Sequence, residues 1–151
     1  MEYTTLGSTG MEVSQVCFGC MSFGSEEPWM LDEAEGRQII ERALDLGVNF
    51  FDTANVYSDG ESEAILGDVL SEYDCDEQVV ATEVRFPAGE DHPNAAGLSR
   101  KTIEQELDAS RERLGVDTVD LYQTHRVDPN TPPETTLRAL DDAGRSVTPA
   151  P

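Results

Sequence analysis

The feature that most constrains this chain is a repeated alternation. Four times a short apolar run of strand type is followed, across a loop, by a stretch whose apolar residues recur at helical spacing. A strand buried on both faces needs neighbouring strands and covering helices, and a helix with one apolar stripe can hide it against such a sheet. The alternation predicts an α/β fold of βα units, with parallel strands and right-handed crossovers.

Punctuation sets the expected boundaries. Gly7 and Gly10 within Thr4–Val13 predict a short hairpin ahead of the main fold. Val16–Gly19 reads as the first buried strand. Its helix runs from Asp32 to Leu46, with Asp32 as N-cap, Glu35 closing a capping box, and Gly47 as the stop. Ile39, Ile40, Ala43 and Leu44 form its expected buried stripe. Asn49–Asp52 is the second strand, followed by a helix over Ser62–Tyr73 that turns Ile65, Leu66, Val69 and Leu70 inward. Gln78–Thr82 is the third strand; its helix starts at the N-cap Ser99, carries Ile103, Leu107 and Leu114, and stops at Gly115. Val119–Gln123 is the fourth strand. The last helix opens with Thr131-Pro132-Pro133-Glu134, where Thr131 caps and Leu137 and Leu140 make the apolar face.

Two architectures satisfy this pattern: a small doubly wound sheet, and half of a (β/α)8 barrel. Periodicity leaves both open. After Asp142 the pattern stops, and Pro149 and Pro151 block helix and ladder alike. Residues 1–142 are therefore read as the folded part and 143–151 as an irregular tail. The tail is either an ordinary frayed end or the point where the architecture is cut short.

Composition narrows the partners. The chain has 31 acidic against 10 basic residues, a net charge of −21. Nucleic acid and anionic membranes are excluded as expected partners, because both require clustered basic residues. No apolar run approaches the ~20 residues that span a bilayer, and Met1-Glu2-Tyr3 does not open a secretory signal, so the expected location is cytoplasmic. Lys101 is the only lysine. An acidic surface almost without lysine suggests a halophile, whose salt would screen the self-repulsion. Cys17 and Cys20 have the spacing of a metal or redox pair, but no second close pair of Cys or His accompanies them, so no metal site is expected. Cys75 stands apart, and His92, between Asp91 and Pro93, reads as a loop residue.

The chemistry concentrates in the second unit. Phe50-Phe51-Asp52-Thr53-Ala54-Asn55-Val56-Tyr57 runs into Gly60-Glu61-Ser62-Glu63-Ala64-Ile65-Leu66-Gly67. An Asp at a strand's C-terminal end and a Tyr in the following loop stand where a barrel places catalytic groups. These segments resemble the signature of the aldo-keto reductase family. Leu6-Gly7-x-Thr9-Gly10, Gly19-Cys20-Met21-Ser22-Phe23-Gly24 and Leu121-Tyr122-Gln123-Thr124-His125-Arg126-Val127-Asp128-Pro129 are similar to further family segments. The resemblance covers residues 3–142, which correspond to the first half of a family member.

The resemblance implies a partial (β/α)8 TIM barrel and an oxidoreductase that reduces an aldehyde or ketone with NADP(H). It implies that Tyr57 is the general acid, that His125 orients and polarises the carbonyl, and that Asp52 pairs with a lysine and touches the nicotinamide ribose. It also makes Gly19, Cys20 and Met21 the first cofactor-contacting turn, with close backbone approach as the reason for Gly19. The lysine belongs at the end of the third strand, where this chain has Glu83.

That departure has a physical size. A phenol titrates near ~10, and a neighbouring cation makes it a better acid. A unit charge at ~4 Å and an effective dielectric near 20 is worth about 4 kcal/mol. Glu83 removes that help and adds repulsion toward Asp52, unless it takes up a proton itself. Arg85, two residues on, is the one replacement cation that strand periodicity offers. The family's later cofactor loops would lie beyond Pro151, so the chain alone is expected to be inactive. Two readings follow. One is half of an oxidoreductase completed by a separate C-terminal half or by a second copy, acting on a small carbonyl substrate. The other is a non-catalytic remnant or binding module.

Overall fold

The computed structural model describes residues 1–24, 27–89 and 91–145. Strands β1 (Tyr3–Thr5) and β2 (Glu12–Ser14) form the antiparallel hairpin. There follow β3 (Phe18–Gly19), α1 (Glu33–Asp45), β4 (Phe50–Asp52), α2 (Glu61–Leu70), β5 (Val79–Val84), α3 (Arg100–Leu114), β6 (Leu121–Thr124) and α4 (Pro133–Arg145). The main sheet is parallel, in the order β3-β4-β5-β6, so every strand lies beside the one before it. Successive helices pack on each other, α1 on α2, α2 on α3 and α3 on α4, in a single row. A doubly wound sheet would put helices on both faces. One row of helices over strands in sequential order is the barrel arrangement, here an arc of four strands.

The core lies between that row and the sheet. Phe23, Ile40, Phe51, Leu66, Val69 and Val80 fill it under α1 and α2; Val84, Ile103, Leu107, Ala139 and Ala143 fill it under α3 and α4. Each fully buried large side chain contributes roughly 1.5–3 kcal/mol. Asp32 caps α1 by accepting from the Glu35 N–H at 2.9 Å, and the Glu35 carboxylate accepts from the Asp32 N–H at 3.4 Å. Ser99 caps α3, and Gly115 ends it in the left-handed conformation at φ 67°. Gly67 is where α2 and α3 touch: a Cβ there would lie 2.5 Å from the Leu114 carbonyl oxygen.

Several boundaries and faces differ from the sequence expectation. Strand β3 starts at Phe18 rather than Val16, β5 extends to Val84, and β6 runs over Leu121–Thr124. Helix α2 ends at Leu70, three residues before Tyr73, where the Ser71 hydroxyl donates to the Asp68 carbonyl. Ile39 is 40% exposed, because the buried stripe of α1 is Gly36, Ile40 and Ala43. Gly36 sits there because α1 presses on Phe23 and Ile65, each of which would be 3.3 Å from a Cβ. In α4 the buried residues are Thr136, Ala139 and Ala143; their small size lets the helix settle on α3, and Leu137 is left 64% exposed. Thr131 does not cap α4; its hydroxyl donates to Asp128 at 2.8 Å. The helix continues to Arg145, so residues 143–145 of the expected tail are its last turn, and residues 146–151 lie outside the described residues. Among the described residues no helix is long and apolar enough to cross a membrane.

Candidate active site

Strand parity decides what reaches the open, inner face. The Thr82 hydroxyl donates to Glu63 of α2, so Thr82 faces the helices and Glu83 the other way. Gln123 is in register with Glu83, and Gly19 with Asp52. Asp52 is in register with Ala81, whose small side chain lets the Gln123 amide reach across β5 and donate to Asp52 Oδ1 at 3.0 Å. His125 follows β6, its N–H bonded to the Val84 carbonyl at 3.0 Å.

The β4–α2 loop is tied down at both ends. The Asn55 N–H donates to the Glu83 carbonyl at 3.1 Å, and its side chain donates to the Phe86 carbonyl at 2.8 Å and to Glu106 at 2.7 Å. The Ser62 hydroxyl donates to the Cys20 carbonyl at 2.8 Å. Between these anchors Tyr57 opens a short 3-10 turn, Tyr57–Gly60, in which Ser58 and Asp59 hold φ values of 49° and 51°. Non-glycine residues in that region are strained, and the Ser58 hydroxyl, donating to the Phe23 carbonyl at 2.9 Å, helps to hold the turn.

The result brings Asp52, Tyr57, Glu83 and His125 together at the C-terminal end of the sheet. The Tyr57 and His125 rings meet edge to face with centroids 5.7 Å apart, and Phe86 meets His125 likewise at 5.3 Å. His125 Nδ1 lies 2.9 Å from Glu83 Oε2, off the line of an ideal hydrogen bond. Burial pushes the Glu83 carboxyl above its ordinary range; His125 pulls it back and Asp52 pushes it further. Burial also raises Asp52, against the Gln123 hydrogen bond and His125. The Tyr57 phenol is pushed up by burial and then by Glu83 and Asp52, so it is a weaker acid than a free phenol. Arg85 does not replace the missing cation. It lies over the Phe86 ring and 4.0 Å from Asp128. A cleft of about 440 Å³ between Leu70, Gln78, Val80 and Asp120 lies at the opposite end of the sheet.

The family profile described as the aldo/keto reductase family matches residues 15–146. The chain belongs to the aldo/keto reductase family. It is 39% identical to a versiconal hemiacetal acetate reductase of Aspergillus parasiticus, over 97% of this chain and 48% of that protein. It is 42% identical to a putative voltage-gated potassium channel subunit beta of Schizosaccharomyces pombe, over 89% of this chain and 39% of that protein. Among solved structures it is similar to a holo aldo-keto reductase of Bacillus halodurans, with a TM-score of 0.82 and 31% identity, covering 96% of this chain and 47% of that one. The chain spans about half the length of the curated relatives it matches.

The remaining family positions fall as follows. Gly19 has open space where a Cβ would stand, so within this chain no close approach requires glycine there. Cys20 is fully buried, its N–H bonded to the Asp52 carbonyl at 2.8 Å; it braces the turn and its side chain faces the core. Met21 is 54% exposed. Cys17 and Cys20 diverge, one to solvent and one to the core, and burial raises both thiols, that of Cys17 to about 11. No group of three or more metal-ligating side chains gathers among the described residues. Sequence reasoning passed over two site residues. Gln123 stood in the family segment, and strand alternation turns it to the inner face, opposite Tyr122, whose hydroxyl donates to the Ile103 carbonyl on α3. Phe86 carries no signal of its own in the sequence.

Proposed function

We propose that this cluster is the proton-transfer end of an NADP(H)-dependent carbonyl reductase site, and that this chain alone does not turn over. The observation that carries the reading is the gathering of Asp52, Tyr57, Glu83 and His125 at the C-terminal end of the parallel strands, where barrel enzymes do chemistry. Tyr57 would hold the proton for the carbonyl oxygen, His125 would orient the carbonyl, and Asp52 would meet the nicotinamide ribose. When bound, the cofactor supplies the hydride. The open space over Gly19 and the Asp52–Gln123 edge fit its nicotinamide end. The fit does not extend to the phosphates, since the nearby Arg85 is turned toward Asp128. A C-terminal half, or a second copy, would have to provide that part. A small aldehyde or ketone is the substrate class, and a salt-rich cytoplasm fits the lysine-poor, acidic composition.

The test joins this chain to the C-terminal half of a family relative and compares Glu83 with Glu83→Lys. A restored cation worth about 4 kcal/mol corresponds to about a thousandfold gain in rate. The unjoined chain is expected to show no turnover with either residue. Equal rates in the two joined forms would remove Glu83 from the reaction.

A second reading, a non-catalytic binding module, is favoured by Glu83 itself. One relative carries the name of a potassium channel subunit. That reading predicts that both joined forms bind NADPH and that neither turns over.

A further inference from the structure

We propose that Asn55 is a positioning residue: its side-chain amide fixes Phe86, and through the Phe86 ring it sets the plane of the His125 imidazole. The inference rests on reading the cluster as an oxidoreductase site in which His125 orients the carbonyl. Asn55 is fully buried, on the loop between β4 and α2. Its Nδ2 donates to the Phe86 carbonyl at 2.8 Å and to Glu106 Oε2, on α3, at 2.7 Å. Both distances are those of well-formed N–H···O bonds, the shorter one to a carboxylate. Two acceptors around one end of the amide also fix which end is nitrogen, since a turned amide would set oxygen against oxygen. Asn55 Oδ1 has no partner among the described residues, so the side chain holds its surroundings through these two N–H groups alone.

The contacts run from scaffold to site. Glu106 is buried on α3, whose Ile103 and Leu107 belong to the core, so its carboxylate is a fixed point. Asn55 links that point to Phe86. The Phe86 carbonyl accepts from no other group among the described residues, and the neighbouring Arg85 carbonyl is held separately by the Gly97 N–H at 2.9 Å. The Phe86 ring meets His125 with centroids 5.3 Å apart and planes at 80°. His125 Nδ1 makes no hydrogen bond among the described residues, so ring contacts set the plane of the imidazole: that with Phe86, and that with Tyr57 at 5.7 Å. A reacting group displaced by ~1 Å can lose about a hundredfold in rate, the scale on which a shifted imidazole would be felt. The Tyr57 contact has a different support. The Asn55 backbone N–H donates to the Glu83 carbonyl and the Tyr57 N–H to the Ala54 carbonyl, each at 3.1 Å, and neither bond uses the Asn55 side chain.

That difference supplies the test. Nuclear Overhauser spectra of the 151-residue chain should connect the His125 ring protons to those of Phe86 and to those of Tyr57. In Asn55→Ala the His125–Phe86 cross-peaks should be lost and the His125–Tyr57 cross-peaks kept, with the methyl signals of Ile40, Leu66 and Val69 unmoved as the sign of an intact fold. Glu106→Gln still presents an acceptor and should keep both sets. A residue that only adds stability would lower the unfolding midpoint when removed and leave both ring contacts in the folded chain. Any result in Asn55→Ala other than selective loss at Phe86 (both kept, both lost, or Tyr57 alone lost) overturns the proposal, and so does loss of the Phe86 contact in Glu106→Gln. Should Asn55→Ala not fold, the wild-type chain decides: nuclear coupling across the hydrogen bond, from the Asn55 side-chain nitrogen to the Phe86 carbonyl carbon, is expected, and its absence overturns the proposal. The spectra need neither cofactor nor turnover. Failure here leaves the reductase reading standing, and a joined chain without turnover leaves this result standing.

Discussion

Thr82 and Glu83 are consecutive on β5 and end on opposite faces of the sheet, in opposite electrostatic settings. On the helix side, Thr82 donates to Glu63 Oε1 at 2.5 Å and Arg113 donates to Glu63 Oε2 at 2.6 Å. The Glu63 side chain is fully buried and each of its oxygens has a donor. On the inner side Glu83 and Asp52 share one imidazole and one amide between them. A buried carboxylate with a complete set of partners belongs to the scaffold. Carboxylates that are partly shielded and left short of donors are the kind that gather at reacting sites, in keeping with the role proposed for this end of the sheet.

The largest effect should come from breaking the helix side. Arg113→Met leaves the Glu63 carboxylate buried without a cation, and losing one partner of such a pair costs about 3–5 kcal/mol. Urea unfolding measures it; a change below about 1 kcal/mol would mean that Glu63 finds water or a proton instead.

Glu83→Gln probes the inner side and should act in the other direction. The folded carboxyl is held above its ordinary range, so its contribution to stability is complete below about pH 4 and is lost as pH rises through the folded value. Glu83→Gln should thus raise the unfolding midpoint at neutral pH and leave it unchanged near pH ~4. A midpoint lowered at neutral pH would show that the His125 contact outweighs the burial.

The smallest effect belongs to the outer rim, where Arg37 meets Asp68, Glu41 and Glu72 in solvent. Arg37→Gln should shift the melting curve slightly in millimolar KCl and not at all in molar KCl. The same series applied to the wild-type chain tests the halophile reading, because a charge of −21 should lower the melting temperature as salt is withdrawn. A melting curve indifferent to salt would remove that reading.

How much of this was legible in the sequence depended on distance along the chain. The βα order, the Asp32 and Ser99 caps and the end of the strand that carries Asp52 are local patterns, and the structure agrees with them, whereas the strand that carries Glu83 runs two residues past its expected end. Period and spacing left the placement of helices on one face open, since they say nothing of which side a crossover takes; the family resemblance supplied it, and the single row of helices agrees. Ile39 and Leu137 were turned inward because a hydrophobic stripe counts residues by type, whereas Gly36 and Ala139 are inside because helices come close there. The pairings that define the two faces, Glu63 with Arg113 and Asp52 with Gln123, join residues 50 and 71 positions apart. Only the register of the sheet and the packing of α2 on α3 bring them together.

The strand order has a consequence for how the chain is made. Each strand of the main sheet hydrogen-bonds to its immediate predecessor, and each helix packs on the one before it. A growing polypeptide can add one βα unit at a time to a surface already in place, and every new pairing closes a loop of modest length. Synthesis at ~5–20 residues per second is slow beside such closures, so β3 and β4 can be joined before β6 has left the ribosome. The exposed strand at the growing end is then the template for its successor, and the half-formed site ripens only when His125 arrives.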